Sequence, residues 1–281
     1  MIVTDAIPFG AAWSAGLRRA SEGELTAWLS LALEMCNEAD RLALRSYRRE
    51  MTTTRKADRT FVTEADRAIE SLIRDRIRAI YPAHGFVGEE FGDEDASASV
   101  RWFIDPIDGT HNFIRGIPLF GTLLALEVEG ELQIGVMSAA ALGERWYAAR
   151  GMGSWTVNRD GLRRRMRTSE VPEIGDAQLI YGSRRENVES GLMPGFDALL
   201  DSCWRDRGFG DFWGYALVAE GAAEAMLETG MHSWDVAAPM VIVEEAGGRV
   251  TDVTGARDVW APSFVASNGH LHEEILARLR G

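Results

Sequence analysis

The sequence predicts a mixed α+β or α/β fold built as two packed subdomains. Two amphipathic helical stretches come first, a run of strands joined by tight turns follows, and beyond about residue 160 strands and helices alternate. A meander followed by alternating elements suits two layered units, each burying one face of its own sheet. Residues 1–22 are assigned to an N-terminal extension, 23–160 to an α+β subdomain and 161–281 to an α/β subdomain. The boundary falls in the polar, basic stretch NRDGLRRRMRTSE.

The first helix is expected over 24–49, where Leu25, Trp28, Leu29, Ala32, Cys36, Ala39 and Ala43 share one face. Asp66 opens a second helix that Pro82 closes. GFVGEE and VRWFIDPI then read as strands. GTLLALEVEGELQIGVMSA is a hairpin turning at Glu129–Gly130, and ERWYAARGMGSWTV is another turning at Arg150–Gly153. In the second half AQLIYGS is a strand, a helix is expected near 190–202, and WRDRGFGDFWGYALVAEG supplies a strand edge and a helix. EAMLE, GRVTDV and SFVASN are strands, WDVAAPMVIVEEAG is a helix, and a last helix runs from Gly269. His84 and His270 are read as loop residues and His272 as lying on the exposed side of that last helix.

The 281 residues are 46% hydrophobic and 26% charged, an ordinary globular balance. No apolar run approaches the roughly 18 residues of a membrane span, and the N-terminus has no basic region ahead of its apolar stretch, as a secretory signal would. With a net charge of −13 the surface repels a phosphate backbone, so nucleic acid is not an expected partner. Cys36 and Cys203 show no CxxC spacing and are expected as buried free thiols in a cytoplasmic protein. The RRRMR run at 163–167 is expected to be a solvated loop or strand edge.

Chemistry concentrates in Asp105-Pro-Ile-Asp-Gly-Thr110-His-Asn-Phe. A strand ends in a carboxylate, Pro106 stiffens the exit and Asp108 presents a second carboxylate beyond Ile107. Gly109 allows close backbone approach, and a helix starting there would offer free N–H groups to a phosphate oxygen. Carboxylates with a backbone carbonyl are hard donors that suit Mg²⁺ or Mn²⁺, whereas zinc favours His and Cys. Alone, the string is also compatible with a surface turn. Glu89, at the end of an apolar strand, and Asp66 and Asp235, each at a helix start, extend the set. Asp66 and Asp235 could be simple caps. Together they put acids at apolar element ends, the usual address of an active site in such folds, where they would repel one another without cations.

GEE, then DPIDGTxNF, then WDxAA followed by GG, resembles the signature set of the inositol monophosphatase superfamily, from about residue 24 to 280. The resemblance implies an αβαβα layered sandwich, often a homodimer, that hydrolyses a small phosphate ester with two or three Mg²⁺ ions per site. It implies Glu89, Asp105 and the Ile107 carbonyl as ligands of a first ion, Asp105, Asp108 and Asp235 as ligands of a second, and Glu89 as available to a third. Most of these ligands fall in 23–160, with Asp235 in 161–281. Gly109 and Thr110 match the phosphate-binding turn, with Glu89, Asp108 and Asp235 also facing the substrate. Asp66 and Thr110, with Glu89, are the implied catalytic groups that orient water and relay its proton during in-line attack on phosphorus, without a phosphoenzyme. His111 departs from the pattern, since relatives often carry Lys or Thr there.

Specificity is expected from 204–221. Gly210-Asp211-Phe212-Trp213-Gly214-Tyr215 is similar to the G-D-[FC]-x-x-Y form of the superfamily's histidinol-phosphate phosphatases, and GTLLAL and ERWYAA lean the same way. By that resemblance Arg207, Asp211 and Glu228 line the pocket for the alcohol. A carboxylate pairs well with the ammonium or imidazole of histidinol phosphate. A polyol such as inositol 1-phosphate, the alternative substrate, also donates to carboxylates. Phe212 and Trp213 could wall the pocket or pack in the core. A reading from another class, a non-catalytic regulator that binds metal or a phosphometabolite, would be expected to lose one of Glu89, Asp105, Asp108, Thr110 or Asp235, and none is lost.

Overall fold

The computed structural model describes residues 20–50, 53–55 and 61–281. Residues 1–19 of the expected extension lie outside the described residues. Ser21 caps helix α1 (Glu22–Ser46), accepting from the Glu24 amide while Glu24 reaches back to the Ser21 N–H. The helix therefore starts two residues before the expected 24 and ends at Tyr47. Strands β1 (Thr53–Arg55) and β2 (Phe61–Thr63) form a small antiparallel pair, and Thr63 caps α2 (Glu64–Ile80).

Next come β3 (Gly85–Gly88), β4 (Gly92–Glu94), β5 (Val100–Asp108), the short helix α3 (Thr110–Ile114), β6 (Gly121–Val128), β7 (Glu131–Ala139), β8 (Glu144–Ala149), β9 (Gly153–Asn158) and β10 (Arg163–Arg165). They make an eight-stranded sheet ordered β10-β9-β8-β7-β6-β5-β3-β4, in which only β3 and β5 run parallel. Both hairpins form where expected, and Glu129 and Gly130 both take the positive φ that a tight two-residue turn needs. The RRR run is the exposed edge strand β10, with Arg163 lying over Trp155.

The second half holds β11 (Gln178–Tyr181), α4 (Arg184–Glu189), α5 (Phe196–Ser202), β12 (Arg205–Arg207), α6 (Asp211–Ala219), β13 (Ala225–Thr229), α7 (Ser233–Glu245), β14 (Arg249–Thr251), β15 (Ser263–Ser267) and α8 (His272–Arg280). Its five-stranded sheet is ordered β12-β11-β13-β15-β14. The helix expected near 190–202 is α5, which starts only at Phe196 because Gly191 takes a positive φ and Pro194 follows; α4 precedes the expected range.

Strand alternation explains the layers. Trp102, Ile104, Leu124 and Leu126 point to one face of the large sheet and meet Trp28, Ala32, Cys36, Ile69 and Ile73 of α1 and α2. Phe103, Leu123, Ala125 and Met137 point to the other face, onto α6 and α7, whose far sides rest on Ile180, Met226 and Phe264 of the small sheet. Leu179, Leu227 and Val265 then pack against α5 and α8. The order is helix, sheet, helix, sheet, helix. Gly135 lets α7 lie close to the sheet, since a Cβ there would stand 2.3 Å from the Ala238 carbonyl oxygen.

Two sequence expectations need correction. His272 is fully buried at the start of α8, in contact with the Thr251 and Ser267 hydroxyls. The helix begins at His272, so His272, Ile275, Leu276 and Leu279 form one inward stripe. Cys36 is buried as expected, with its thiol pushed up to about 12 by burial, whereas Cys203 is only half-buried.

Candidate active site

The site forms at the C-terminal end of β5, where a backbone irregularity decides which way its acids point. Asp105 pairs with Leu123 and Asp108 with Gly121, so three steps on β5 oppose two on β6. In a regular strand, residues three apart face opposite sides of the sheet; one extra residue brings them to the same side. Pro106 has no N–H for the ladder, which makes this the place where pairing breaks, and its carbonyl instead accepts the Thr122 hydroxyl at 2.8 Å. Asp105 and Asp108 then meet Asp235, from the first turn of α7, with one carboxylate oxygen of each within 4.8 Å of the others.

Asp235 Oδ2 accepts the His232 N–H at 2.8 Å, so capping engages one oxygen of the group. Asp66 is similar: one oxygen caps α2 through the Thr63 N–H, and Oδ1 is buried without a hydrogen-bond partner. Asp105 Oδ1 is also buried and unpartnered. Glu89 follows β3, which runs parallel to β5, and its N–H extends the ladder to the Ile104 carbonyl at 3.2 Å. Thr110 opens α3 and donates to the Ile107 carbonyl at 3.0 Å, and Gly109 has φ +77° at the cap. A Cβ at Gly109 would stand 2.9 Å from the Leu119 carbonyl oxygen and 3.2 Å from Asp211 Oδ2.

Burial and mutual repulsion of the carboxylates set the electrostatics of the site. Burial first, and then the charges of Glu89, Asp108 and Asp235, hold the Asp105 carboxyl well above the usual range. Burial and then Asp211 and Asp235 do the same to Asp108. Burial raises Asp235 and Asp66 to about 7, with Glu89 adding to both. Among the described residues no arginine forms an ion pair with Asp105, Asp108 or Asp235. Clustered oxygen donors with orphaned lone pairs fit a hard divalent cation such as Mg²⁺, which would offset the desolvation and repulsion together.

A second acidic group adjoins the first. Asp211 begins α6 at φ +50°, and its amide donates to Glu228 Oε1 at 3.3 Å while the Phe212 amide donates to Asp108 Oδ2 at 2.7 Å. Burial raises Asp211 to about 6, with His111 opposing the shift, and holds Glu228 well above its ordinary range. The exposed His111 is thus close enough to act on Asp211, and its ring packs edge-on to Phe61 at 5.3 Å. Arg207 is not joined to these acids by any hydrogen bond or ion pair among the described residues; it donates to the Asp206 carbonyl. Phe212 packs in the core against Trp146 and Trp213 against Phe209.

Sequence reading passed over three contributors. Asn112 donates to the Leu119 carbonyl at 2.9 Å and to Asp211 Oδ2 at 3.1 Å, tying α3 to α6; its place in the DGTxNF string was a signal. Tyr215, fully buried, faces Glu228. Glu70 and Arg74 brace the turn that holds Glu89, and an i, i+4 pair of this kind reads in sequence as an ordinary helix-surface ion pair.

The sequence profile of the inositol monophosphatase family matches residues 24–281. A histidinol-phosphatase of Mycobacterium tuberculosis is 43% identical over 253 residues, 89% of this chain and 97% of that protein. The histidinol-phosphatase of Streptomyces coelicolor is 39% identical over 256 residues, 89% of this chain and 96% of that protein. Among solved structures, the IMPase of Thermotoga maritima superposes with a TM-score of 0.81 at 30% identity, covering 90% of this chain and 97% of that one.

Proposed function

The chain belongs to the inositol monophosphatase family, and on that premise we propose that it is a Mg²⁺-dependent phosphomonoesterase whose substrate is histidinol phosphate. The observation that carries the substrate is the pair of Asp211, half-buried at the start of α6, and Glu228, buried on β13, set beside the acid cluster. Phosphate hydrolysis does not need these two acids, and they would repel a phosphoryl group. They suit a leaving alcohol that carries an ammonium and an imidazole. The identity of 43% with a histidinol-phosphatase over nearly its whole length supports the same choice.

Glu89, Asp105 and the Ile107 carbonyl would hold one Mg²⁺, and Asp105, Asp108 and Asp235 another, with Glu89 open to a third; Mn²⁺ has the same donor preference. When bound, these ions supply charge neutralisation at the phosphoryl oxygens and a lowered pKa for water. The chain's own part is positional. Gly109 and Thr110 present backbone N–H groups to phosphate at the head of α3. Asp66 Oδ1 and the Thr110 hydroxyl are the groups offered to orient water and pass on its proton. Arg207 would serve the alcohol side only if its guanidinium leaves the Asp206 carbonyl.

The family resemblance also supports a homodimer, and the absence of any long apolar helix among the described residues accords with a protein that does not cross the membrane by one. The experiment that tests the substrate is kcat/KM with Mg²⁺ for histidinol phosphate against inositol 1-phosphate on one preparation. A preference of about tenfold or more for histidinol phosphate is expected, equal to about 1.4 kcal/mol in transition-state binding. A preference for inositol 1-phosphate would overturn the substrate and leave the hydrolytic chemistry standing.

A further inference from the structure

Helix α2 carries a file of polar residues through the protein interior. Asp66, Glu70 and Arg74 are spaced by four, so they stack along one face of the helix, and all three are buried. Asp66 stands at the active-site end. Glu70 and Arg74, one and two turns further on, touch none of the acids described above through a hydrogen bond or ion pair among the described residues; they touch the backbone that carries Glu89.

The contacts follow the chain residue by residue. The Glu89 N–H ends the β3–β5 ladder on the Ile104 carbonyl. The next two amides leave the sheet and turn to α2: Glu90 N–H donates to Glu70 Oε2 at 2.8 Å and Phe91 N–H to Glu70 Oε1 at 3.3 Å. Arg74 holds Glu70 through Nε at 2.9 Å and donates from Nη2 to the Gly92 carbonyl. Gly88 leaves the room for this, since a Cβ there would stand 2.1 Å from Glu70 Oε1 and 2.5 Å from Arg74 Nη2. The amides of Glu89, Glu90 and Phe91 and the carbonyl of Gly92 are therefore each held, either by the sheet or by α2.

Two buried charges are expensive in a place where two apolar residues would pack well. Here the carboxylate satisfies two amides that could not otherwise be paired at the end of a strand, and the guanidinium satisfies both the carboxylate and a carbonyl. We infer that Glu70 and Arg74 are positioning residues for the metal site, aiming the Glu89 carboxylate at Asp105 by fixing the turn behind it. This rests on the reading of Glu89 as a metal ligand. Partners one step behind a metal ligand commonly tune affinity by about 10–100-fold when removed.

The test is calorimetric titration of the full-length protein with Mg²⁺ alone, in the parent, Glu70→Gln, Glu89→Ala and the double variant, with circular dichroism to establish folding. Glu70→Gln keeps one acceptor oxygen but turns an amide against the second N–H donor and the guanidinium. It is expected to bind Mg²⁺ roughly tenfold more weakly, and in the Glu89→Ala background to add less than about a twofold loss. Parent-like Mg²⁺ affinity in Glu70→Gln, or the same tenfold loss with Glu89 absent, would overturn the inference and leave the pair a structural one. A Glu89→Ala variant that binds Mg²⁺ as the parent does would instead remove the ligand reading, and the inference with it. Should Glu70→Gln not fold, Arg74→Gln keeps both amide contacts of Glu70 but removes the guanidinium that holds Glu70, Glu94 and the Gly92 carbonyl; it is expected to weaken Mg²⁺ binding about threefold, and unchanged affinity in that variant overturns the inference too.

Discussion

Asp108→Asn should stabilise the metal-free protein while nearly abolishing its activity. The oxygens of Asp105, Asp108 and Asp235 lie within 4.8 Å of one another. Two unit charges at that distance repel by about 3.5 kcal/mol at an effective dielectric of about 20. Asp108 can avoid ionising only by keeping a proton, which at pH 7 costs no more than about 4 kcal/mol relative to an unfolded Asp near 3.9. Either way the carboxylate costs the metal-free fold several kcal/mol, and an Asn escapes both. The Asn carbonyl still accepts the Phe212 amide that now bonds to Asp108 Oδ2 at 2.7 Å, and its NH₂ faces carboxylates that can accept. Allowing for burial of the new amide, a net gain of about 2–3 kcal/mol raises the melting temperature by about 4–8 °C in EDTA. With Mg²⁺ at a thousandfold excess over Kd the order reverses, because only the parent gains the binding free energy, about 4.1 kcal/mol. Phosphate release should fall by about three orders of magnitude. A variant that melts below the parent in EDTA, or keeps more than about a tenth of its activity, refutes the reasoning that places a cation there.

Asp211→Asn preserves the left-handed backbone at φ +50°, which Asn tolerates, and the Asn112 contact. It should lower kcat/KM for histidinol phosphate by about 10–100-fold through loss of one charged hydrogen bond. Hydrolysis of p-nitrophenyl phosphate, which has no ammonium, should stay within about twofold; an equal loss on both esters would sink the assignment. His272 tests the pH dependence of the fold. Burial lowers it to about 4 from 6.5, so the unfolded chain binds the extra proton between those values. Its contribution is intact above pH 6.5 and is lost as pH falls toward 4, by up to about 3 kcal/mol. In chemical denaturation, His272→Gln should flatten that part of the stability profile, and an unchanged slope would show that other groups carry it.

The layers of the fold were legible because most of its strands have one apolar face and the hairpin turns use residues that accept positive φ. Where the reading failed, geometry was set by contacts distant in sequence. His272 looked like a surface polar residue until α8 was seen to start there, which puts it in phase with Ile275, Leu276 and Leu279. The late start of α5 was written in Gly191 and Pro194, while α4 was not expected at all. Asp105, Asp108 and Asp235 were legible as a set because acids at apolar element ends are costly and so informative. Glu70 was not, because its partners are backbone N–H groups, which every sequence supplies everywhere.

In the proposed function Asp211 serves the alcohol and the acid cluster serves the phosphate, and a single carboxylate, Asp108, joins the two. Asp108 belongs to the acid cluster at the end of β5, and its Oδ2 caps α6 through the Phe212 amide. Glu228 caps the same helix from β13 through the Asp211 amide, so the first turn of α6 is suspended between the two sheets. An N–H bond to an ionised acceptor is about twice as strong as one to a neutral acceptor. A cation that keeps Asp108 ionised therefore also strengthens its hold on α6, and with it the position of Asp211. Under the proposed function, Asp211 is then held most firmly when the acid cluster holds its cation. This gives a role to a strained, positive-φ aspartate at a position where a relaxed residue would cap the helix at less cost.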